Sequence, residues 1–257
     1  MSASGSTTYL LGAIAVEAAI SAGTRELHRV WVDADMDYRR IEPLRRAAKA
    51  RRMDLIKQSR TELDGLVNEN KHGGVVAEVG PRVFVTLDGL LAHSGEERSF
   101  FVMLDGVEDP YNFGQAVRAL YAAGCHGLVV RPRNWAVADG QAPAIIARAS
   151  AGTSEFMPMA VAETPEAAAA FFKEKGLVVA AAADTRDAVP LHDVDLTEPV
   201  FLLVGGEKRG LKRSFLERAD RVVEVPYARP FGYSLGTVAA VSVLGFEIAR
   251  QRAASAR

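Results

Sequence analysis

The chain has 257 residues, a formal net charge of -1 at pH 7 and 49% hydrophobic residues, enough apolar material for one large core or two modest ones, which excludes disorder of the whole chain. The single cysteine, Cys125, permits no internal disulfide, and the five histidines do not gather with it or with one another at metal-ligand spacing, so no structural metal is expected. The first residues lack the basic start and apolar core of a signal peptide and no apolar run approaches a membrane span, so a soluble, cytoplasmic protein is predicted.

Residues 9 to 79 alternate helical and extended patterns. A small-residue helix is predicted over 13–22, a strand from Leu27 to Val32, a helix near 41–52, a strand from Met53 to Lys57, a helix near 60–67 and a strand from Val75 to Val79. This describes a compact α/β unit. Within it, Arg39, Arg40, Arg45, Arg46, Lys49, Arg51, Arg52, Lys57 and Arg60 face only Asp37, Glu42 and Asp54. Such a local excess suits phosphate contacts and equally suits a solvated helix face. From Pro81 to Ser99 the pattern turns irregular, with Asp-Gly and Ser-Gly turn signals, as in a linker.

A second α/β domain is predicted from Phe100 to the end. Strands are expected at 100–104, 127–131, 157–161, 177–182, 200–204 and 222–225, with helices between most of them. That alternation means a mostly parallel sheet with helices on both faces. The stretch from Ser234 to about Arg252 reads as one long helix.

Three segments of this domain could carry chemistry. The first, Leu-Asp-Gly-Val-Glu-Asp-Pro-Tyr-Asn-Phe-Gly-Gln-Ala-Val-Arg at 104–118, is a strand end, a loop holding Asn112 and a helix carrying Arg118. It sets an amide and a guanidinium at the carboxyl end of a strand, where open α/β sheets bind ligands. The second, Phe-Leu-Leu-Val-Gly-Gly-Glu-Lys-Arg-Gly-Leu at 201–211, leaves a buried strand and turns on glycines that permit close backbone approach. A phosphate-loop reading fails there because Leu211 stands where the essential lysine belongs. The third, Val-Pro-Tyr-Ala-Arg-Pro-Phe-Gly-Tyr-Ser-Leu-Gly-Thr-Val-Ala-Ala-Val at 225–241, ends a strand and opens the last helix. Taken alone, each has a plain reading: Asn112 as a turn residue, Arg118 as a solvated helix residue, 205–210 as a Gly-rich turn, Ser234 as an N-cap.

In their order and spacing these segments resemble the three motifs of the SpoU (TrmH-like) class of SPOUT RNA methyltransferases. The opening Leu-Leu-Gly-Ala-Ile-Ala-Val-Glu-Ala-Ala-Ile and the Lys-His-Gly-Gly-Val-Val-Ala at 71–77 resemble the ends of the ribosomal-protein-like substrate-binding domain in the RlmB-like branch of that class. The resemblance implies an RNA substrate-binding domain over 1–80, a linker over 81–99 and a methyltransferase domain over 100–257 that closes in a C-terminal trefoil knot and forms a homodimer. It implies transfer of a methyl group from S-adenosylmethionine to a ribose 2'-hydroxyl in structured RNA, ribosomal rather than transfer RNA. Asn112, Arg118, Glu207 and Ser234 would be the catalytic group, and Gly205, Val225 and Leu235 would hold the cofactor, the last two mainly through backbone groups.

The sequence departs from the family at one place. The usual Ser-Leu-Asn before the last helix is Ser-Leu-Gly here, so Gly236 offers no amide, and Asn134, Tyr233 or Thr237 are the neighbours that could replace it. The departure keeps a second reading open: a non-catalytic RNA-binding or ribosome-assembly protein that retains the fold. A nucleotide-binding oxidoreductase is disfavoured, because no Gly-x-Gly-x-x-Gly follows an early strand.

Overall fold

The computed structural model describes residues 8–67, 71–95, 98–107, 109–134, 136–137, 140–206 and 210–255. The chain divides into two compact units, one made of residues 1–83 with 135–156 and the other of 84–134 with 157–257. The first opens with β1 (Thr8–Leu11), α1 (Ala13–Ala22), β2 (Arg25–Asp33), α2 (Glu42–Ala50), β3 (Leu55–Gln58), α3 (Arg60–Val67) and β4 (Val75–Arg82). Its sheet runs β1-β4-β2-β3, with β4 antiparallel to β1 and β2 while β2 and β3 are parallel. Alternating apolar positions explain the layering. Val30, Val32, Val75, Ala77 and Val79 enter one buried cluster with Val16 and Ile20 of α1 and Leu44 of α2, whereas Trp31 and Val76 face Leu63 of α3 on the other side.

The second unit adds α4 (Leu87–Ser94), β5 (Phe100–Asp105), α5 (Pro110–Ala122) and β6 (Gly127–Val130). After the helices α6 (Ala142–Ala149) and α7 (Thr153–Phe156), which belong to the first unit, come β7 (Met159–Val161), α8 (Pro165–Glu174), β8 (Val178–Ala182) and β9 (Val189–Pro190). The chain closes with β10 (Val200–Gly205), α9 (Arg213–Leu216), β11 (Arg221–Glu224) and α10 (Thr237–Ser255). The seven strands are parallel throughout, in the order β7-β6-β5-β10-β8-β11-β9. Central β5 and β10 read Phe-Phe-Val-Met-Leu-Asp and Val-Phe-Leu-Leu-Val-Gly, continuous apolar runs because a parallel sheet is covered on both faces. Phe172 of α8 stacks between Phe101 and Phe201 at centroid distances of 5.1 and 4.6 Å. Each of these buried rings contributes roughly 1.5–3 kcal/mol.

Two expectations change here. The stretch from Pro81 to Ser99, read as an irregular linker, finishes β4 and then forms α4. Thr86 caps that helix by accepting the Gly89 N–H at 3.0 Å, and Leu90 is fully buried. The Asp88-Gly89 pair that suggests a turn lies inside the helix, because a good N-cap and the burial of Leu90 outweigh a local propensity of about 1 kcal/mol. In addition, α6 and α7 lie far along the chain in the stretch assigned to the second domain yet pack with the first unit. Ala147 joins its core, Ala144 meets Leu11 and Trp31, and Glu155 is buried with Arg25 at 3.0 Å and Arg82 at 3.7 Å. Burial lowers the Arg82 pKa to about 10, against the opposing pull of Glu155. No described helix is long and apolar enough to cross a membrane.

Candidate active site

The carboxyl ends of β8, β10 and β11 border a cavity of about 390 Å³, within the usual size range of small-molecule sites. Beyond their last ladder partners, parallel strands present backbone groups that sheet pairing no longer occupies, which is why ligands bind at this end. The strand ends contribute Ala182 to Thr185, Val204 to Gly206 and Val223 to Val225. Leu211, Leu216, Leu235, Ala240 and Leu244 make the opposite side apolar, and Tyr227, Ser234 and Thr237 add hydroxyls. Apolar walls facing exposed strand-end backbone suit a flat heterocycle read by backbone hydrogen bonds.

The glycines at the end of β10 are required by packing. A Cβ on Gly205 would lie 2.5 Å from the carbonyl carbon of Gly210, and one on Gly206 would lie 2.0 Å from the carbonyl oxygen of Gly106. Both contacts are with backbone, which cannot give way easily. Gly206 also donates its N–H to the Asp105 carbonyl at 2.7 Å, joining the ends of β10 and β5. The close approach expected of these glycines is therefore made to the protein's own loops, and it shapes the floor of the cavity. Glu207, Lys208 and Arg209 lie outside the described residues.

Of the residues read from the sequence, Gly205, Val225, Ser234 and Leu235 line this one cavity. Leu235 is held by its backbone: its N–H donates to the Tyr227 hydroxyl at 3.0 Å. Ser234 is not the cap of the last helix. The opening backbone bond of α10 runs from the Ala240 N–H to the Gly236 carbonyl at 3.1 Å, which makes Gly236 the N-cap and leaves the Ser234 hydroxyl exposed beside the cavity. Glycine is tolerated at an N-cap, only a few tenths of a kcal/mol below the best residues. Of the three neighbours considered as substitutes for the missing amide, Thr237 lines the cavity, Tyr233 is exposed, and Asn134 closes a turn onto the Arg131 carbonyl.

Asn112 and Arg118 are on a different element and do not line the cavity. Asn112 is in the first turn of α5 rather than in a loop, because Asp109 caps the helix through the Tyr111 N–H at 3.0 Å and Pro110 occupies the first helical position. Arg118 lies farther along the same helix, exposed. The helix follows β5, and β5 is the direct neighbour of β10.

Sequence reading missed Asp184, Thr185, Glu224 and Tyr227 as cavity residues. The signal that could have found them is position: each stands at or just past the carboxyl end of a predicted strand. In the first unit, Arg39, Arg40, Arg45, Arg46, Lys49, Arg51, Arg52, Lys57 and Arg60 are all exposed. Glu42 pairs with Arg45 at 3.0 Å and Asp37 with Arg39 at 3.0 Å, so the stretch keeps a positive excess.

A family model described as the SpoU rRNA Methylase family matches residues 99–246. The chain belongs to this SpoU family of S-adenosylmethionine-dependent RNA methyltransferases. A second model, described as RNA 2'-O ribose methyltransferase substrate binding, matches residues 9–84, so the SpoU domain follows a substrate-binding domain. The chain is 30% identical over 246 residues to the 23S rRNA (guanosine-2'-O-)-methyltransferase RlmB of Shewanella oneidensis, covering 95% of this chain and 97% of the relative. It is 34% identical over 224 residues to an uncharacterized tRNA/rRNA methyltransferase of Mycobacterium leprae, covering 87% and 70%. Among solved structures, the SpoU methyltransferase AviRb of Streptomyces viridochromogenes shares the fold at a TM-score of 0.77 and 22% identity, covering 97% of this chain and 91% of that one. An AdoMet-bound rRNA methyltransferase from Sinorhizobium meliloti does so at a TM-score of 0.73 and 21% identity, covering 95% and 87%.

Proposed function

We propose that this SpoU protein methylates a ribose 2'-hydroxyl of ribosomal RNA as a homodimer, with S-adenosylmethionine held in the cavity at the ends of β8, β10 and β11. The observation that carries the reading is the convergence of Gly205 from the second segment with Val225, Ser234 and Leu235 from the third on one cavity with apolar walls and open strand-end backbone. The choice of ribosomal RNA is supported by the near full-length similarity to the Shewanella relative, whose name gives 23S rRNA as its substrate.

The cofactor supplies an electrophilic methyl group on a sulfonium. The chain's own residues bind, orient and charge-stabilise around it. Leu211, Leu235 and Leu244 would hold the cofactor's apolar ring system and exclude water, and the Val225 backbone with the Leu235 carbonyl would be the groups to read its polar edge. Asn112 and Ser234 orient the ribose, and alignment of the attacking oxygen provides a large share of the rate. The Arg118 guanidinium holds the nucleotide's phosphate and stabilises developing negative charge on the 2'-oxygen. Glu207 positions Asn112 or Arg118. The exposed arginines around α2 contact RNA phosphates.

Calorimetry with S-adenosylmethionine, followed by tritiated methyl transfer into ribosomal RNA, tests the proposal. Binding with transfer is expected, and Arg118→Ala should abolish transfer while leaving cofactor affinity within a few-fold. Cofactor binding by a wild type that transfers nothing to any RNA would favour the non-catalytic reading. An active Arg118→Ala would remove that residue from the mechanism.

A further inference from the structure

The segment between β11 and α10 carries three aromatic rings that the fold leaves unburied. Tyr227, Phe231 and Tyr233 are 38%, 54% and 79% exposed. They form a continuous row: Tyr227 and Phe231 meet edge-on with centroids 5.6 Å apart at 76°, and Phe231 and Tyr233 do so at 5.8 Å and 64°. The row is anchored at one end only. Tyr227 lines the cavity and fixes Leu235 there through its hydroxyl, while Tyr233 reaches into solvent immediately before the cavity residue Ser234. Pro226 and Pro230 restrict the backbone on either side of Tyr227.

We infer that this aromatic row is a stacking platform for an unpaired RNA base, and that it holds the target nucleotide with its ribose at the mouth of the cavity. The inference rests on the proposed function and adds the means by which the nucleotide is gripped. A single ring at the surface needs no explanation. Three in succession, each touching the next and growing progressively more exposed away from a cavity wall, present a surface whose natural complement is another π-system. A base unstacked from its neighbours supplies one, and aromatic side chains are the usual platform for it. The charge of the surroundings agrees. Arg229 lies within the segment, and Lys212 and Arg213, also exposed, follow the cavity residue Leu211, so cations are available for the flanking phosphates. A ribose 2'-hydroxyl within a stacked helix is confined by its neighbours, whereas a nucleotide gripped by its base can turn its sugar toward Ser234. Stacking is tolerant of base identity, so the platform fixes position and leaves sequence choice to other contacts.

The test uses the full chain with a fluorescein-labelled oligoadenylate RNA as probe, alongside methyl transfer to ribosomal RNA. Tyr233→Ala and Phe231→Ala should each weaken oligoadenylate binding by about tenfold or more, the loss expected when one stacked base is released. S-adenosylmethionine affinity should stay within twofold. Tyr233→Trp should retain binding and show quenched emission at the new indole on adding RNA. Unchanged oligoadenylate affinity in both alanine variants, or an indole unaffected by saturating RNA, overturns the platform. A switch from dimer to monomer in Tyr233→Ala by light scattering overturns it too, since the row would then be an interface between two copies. The two proposals fail separately: a wild type inactive on ribosomal RNA with stacking-dependent oligoadenylate binding leaves the platform standing, and an active wild type with indifferent alanine variants removes only the platform.

Discussion

Single residues set the shape of the site, and two glycines do so for opposite reasons. Gly205 is sterically required: its missing Cβ makes room for the backbone of Gly210 at 2.5 Å. Gly205→Val should therefore act by forcing the 205–210 turn open, more than by filling the cavity. The expected cost is about 1–3 kcal/mol of stability, read by urea denaturation, together with loss of S-adenosylmethionine binding by calorimetry; unchanged affinity would move the cofactor elsewhere. Gly236 is instead a departure from the family motif that the start of the helix accommodates. As the N-cap of α10 it serves through its carbonyl, which accepts from Ala240, and asparagine can do the same. Gly236→Asn should thus leave stability unchanged or raise it by a few tenths of a kcal/mol. On an active wild type it should alter methyl transfer by much less than the roughly 10²-fold that loss of a transition-state donor costs. A silent wild type restored to activity by this substitution would mean that transfer had been lost at position 236. The lone thiol, Cys125, is buried, and burial pushes it up to about 12, which favours the protonated form.

At the level of elements, the short helix α7 is held by charge as well as by apolar packing. Glu155 sits between Arg25 and Arg82, and all three are less than a tenth exposed. The Thr24 hydroxyl adds a bond to the same carboxylate at 3.0 Å. Removing the carboxylate would leave two guanidinium groups buried against each other, so Glu155→Ala should cost about 3–5 kcal/mol. Urea denaturation followed by circular dichroism measures it. A loss under 1 kcal/mol would mean that water or rearrangement satisfies the arginines. The capped helix α4 shows the same principle in apolar form, since Leu90 fixes as helix a stretch whose Asp-Gly pair favours a turn.

Across the whole chain, the first unit is not a simple N-terminal module, because it takes in residues 135–156 as well as 1–83. A chain beginning at Phe84 would keep α6 and α7 without β1, α1 and β2, exposing Ala144 and Ala147 and stranding Glu155 without Arg25 and Arg82. Such a fragment should melt lower than the intact protein and aggregate more readily, in addition to losing RNA affinity at moderate salt, where phosphate contacts count. Thermal unfolding by scanning calorimetry reads the first effect and filter binding across a salt series the second. A fragment as stable as the full chain would show that α6 and α7 need no partner from the first unit.

Local pattern was sufficient for much of this architecture. The apolar runs at 100–104 and 200–204 read as buried strands of a parallel sheet and the small-residue segment at 13–22 as a helix, as the structure has them, and the three motif segments carried the family through their order and spacing. Those features are legible because each is signalled by the apolar pattern within one contiguous segment. The strand order that puts β10 beside both β5 and β8, the transfer of α6 and α7 to the first unit, the close approach of Gly206 to the backbone of Gly106, and the meeting of Asp184 with Glu224 and Tyr227 around one cavity rest instead on residues tens of positions or more apart. No periodicity or propensity encodes such pairings. They follow from the way the parallel sheet stacks its strand ends side by side, which brings together groups that the chain itself keeps distant.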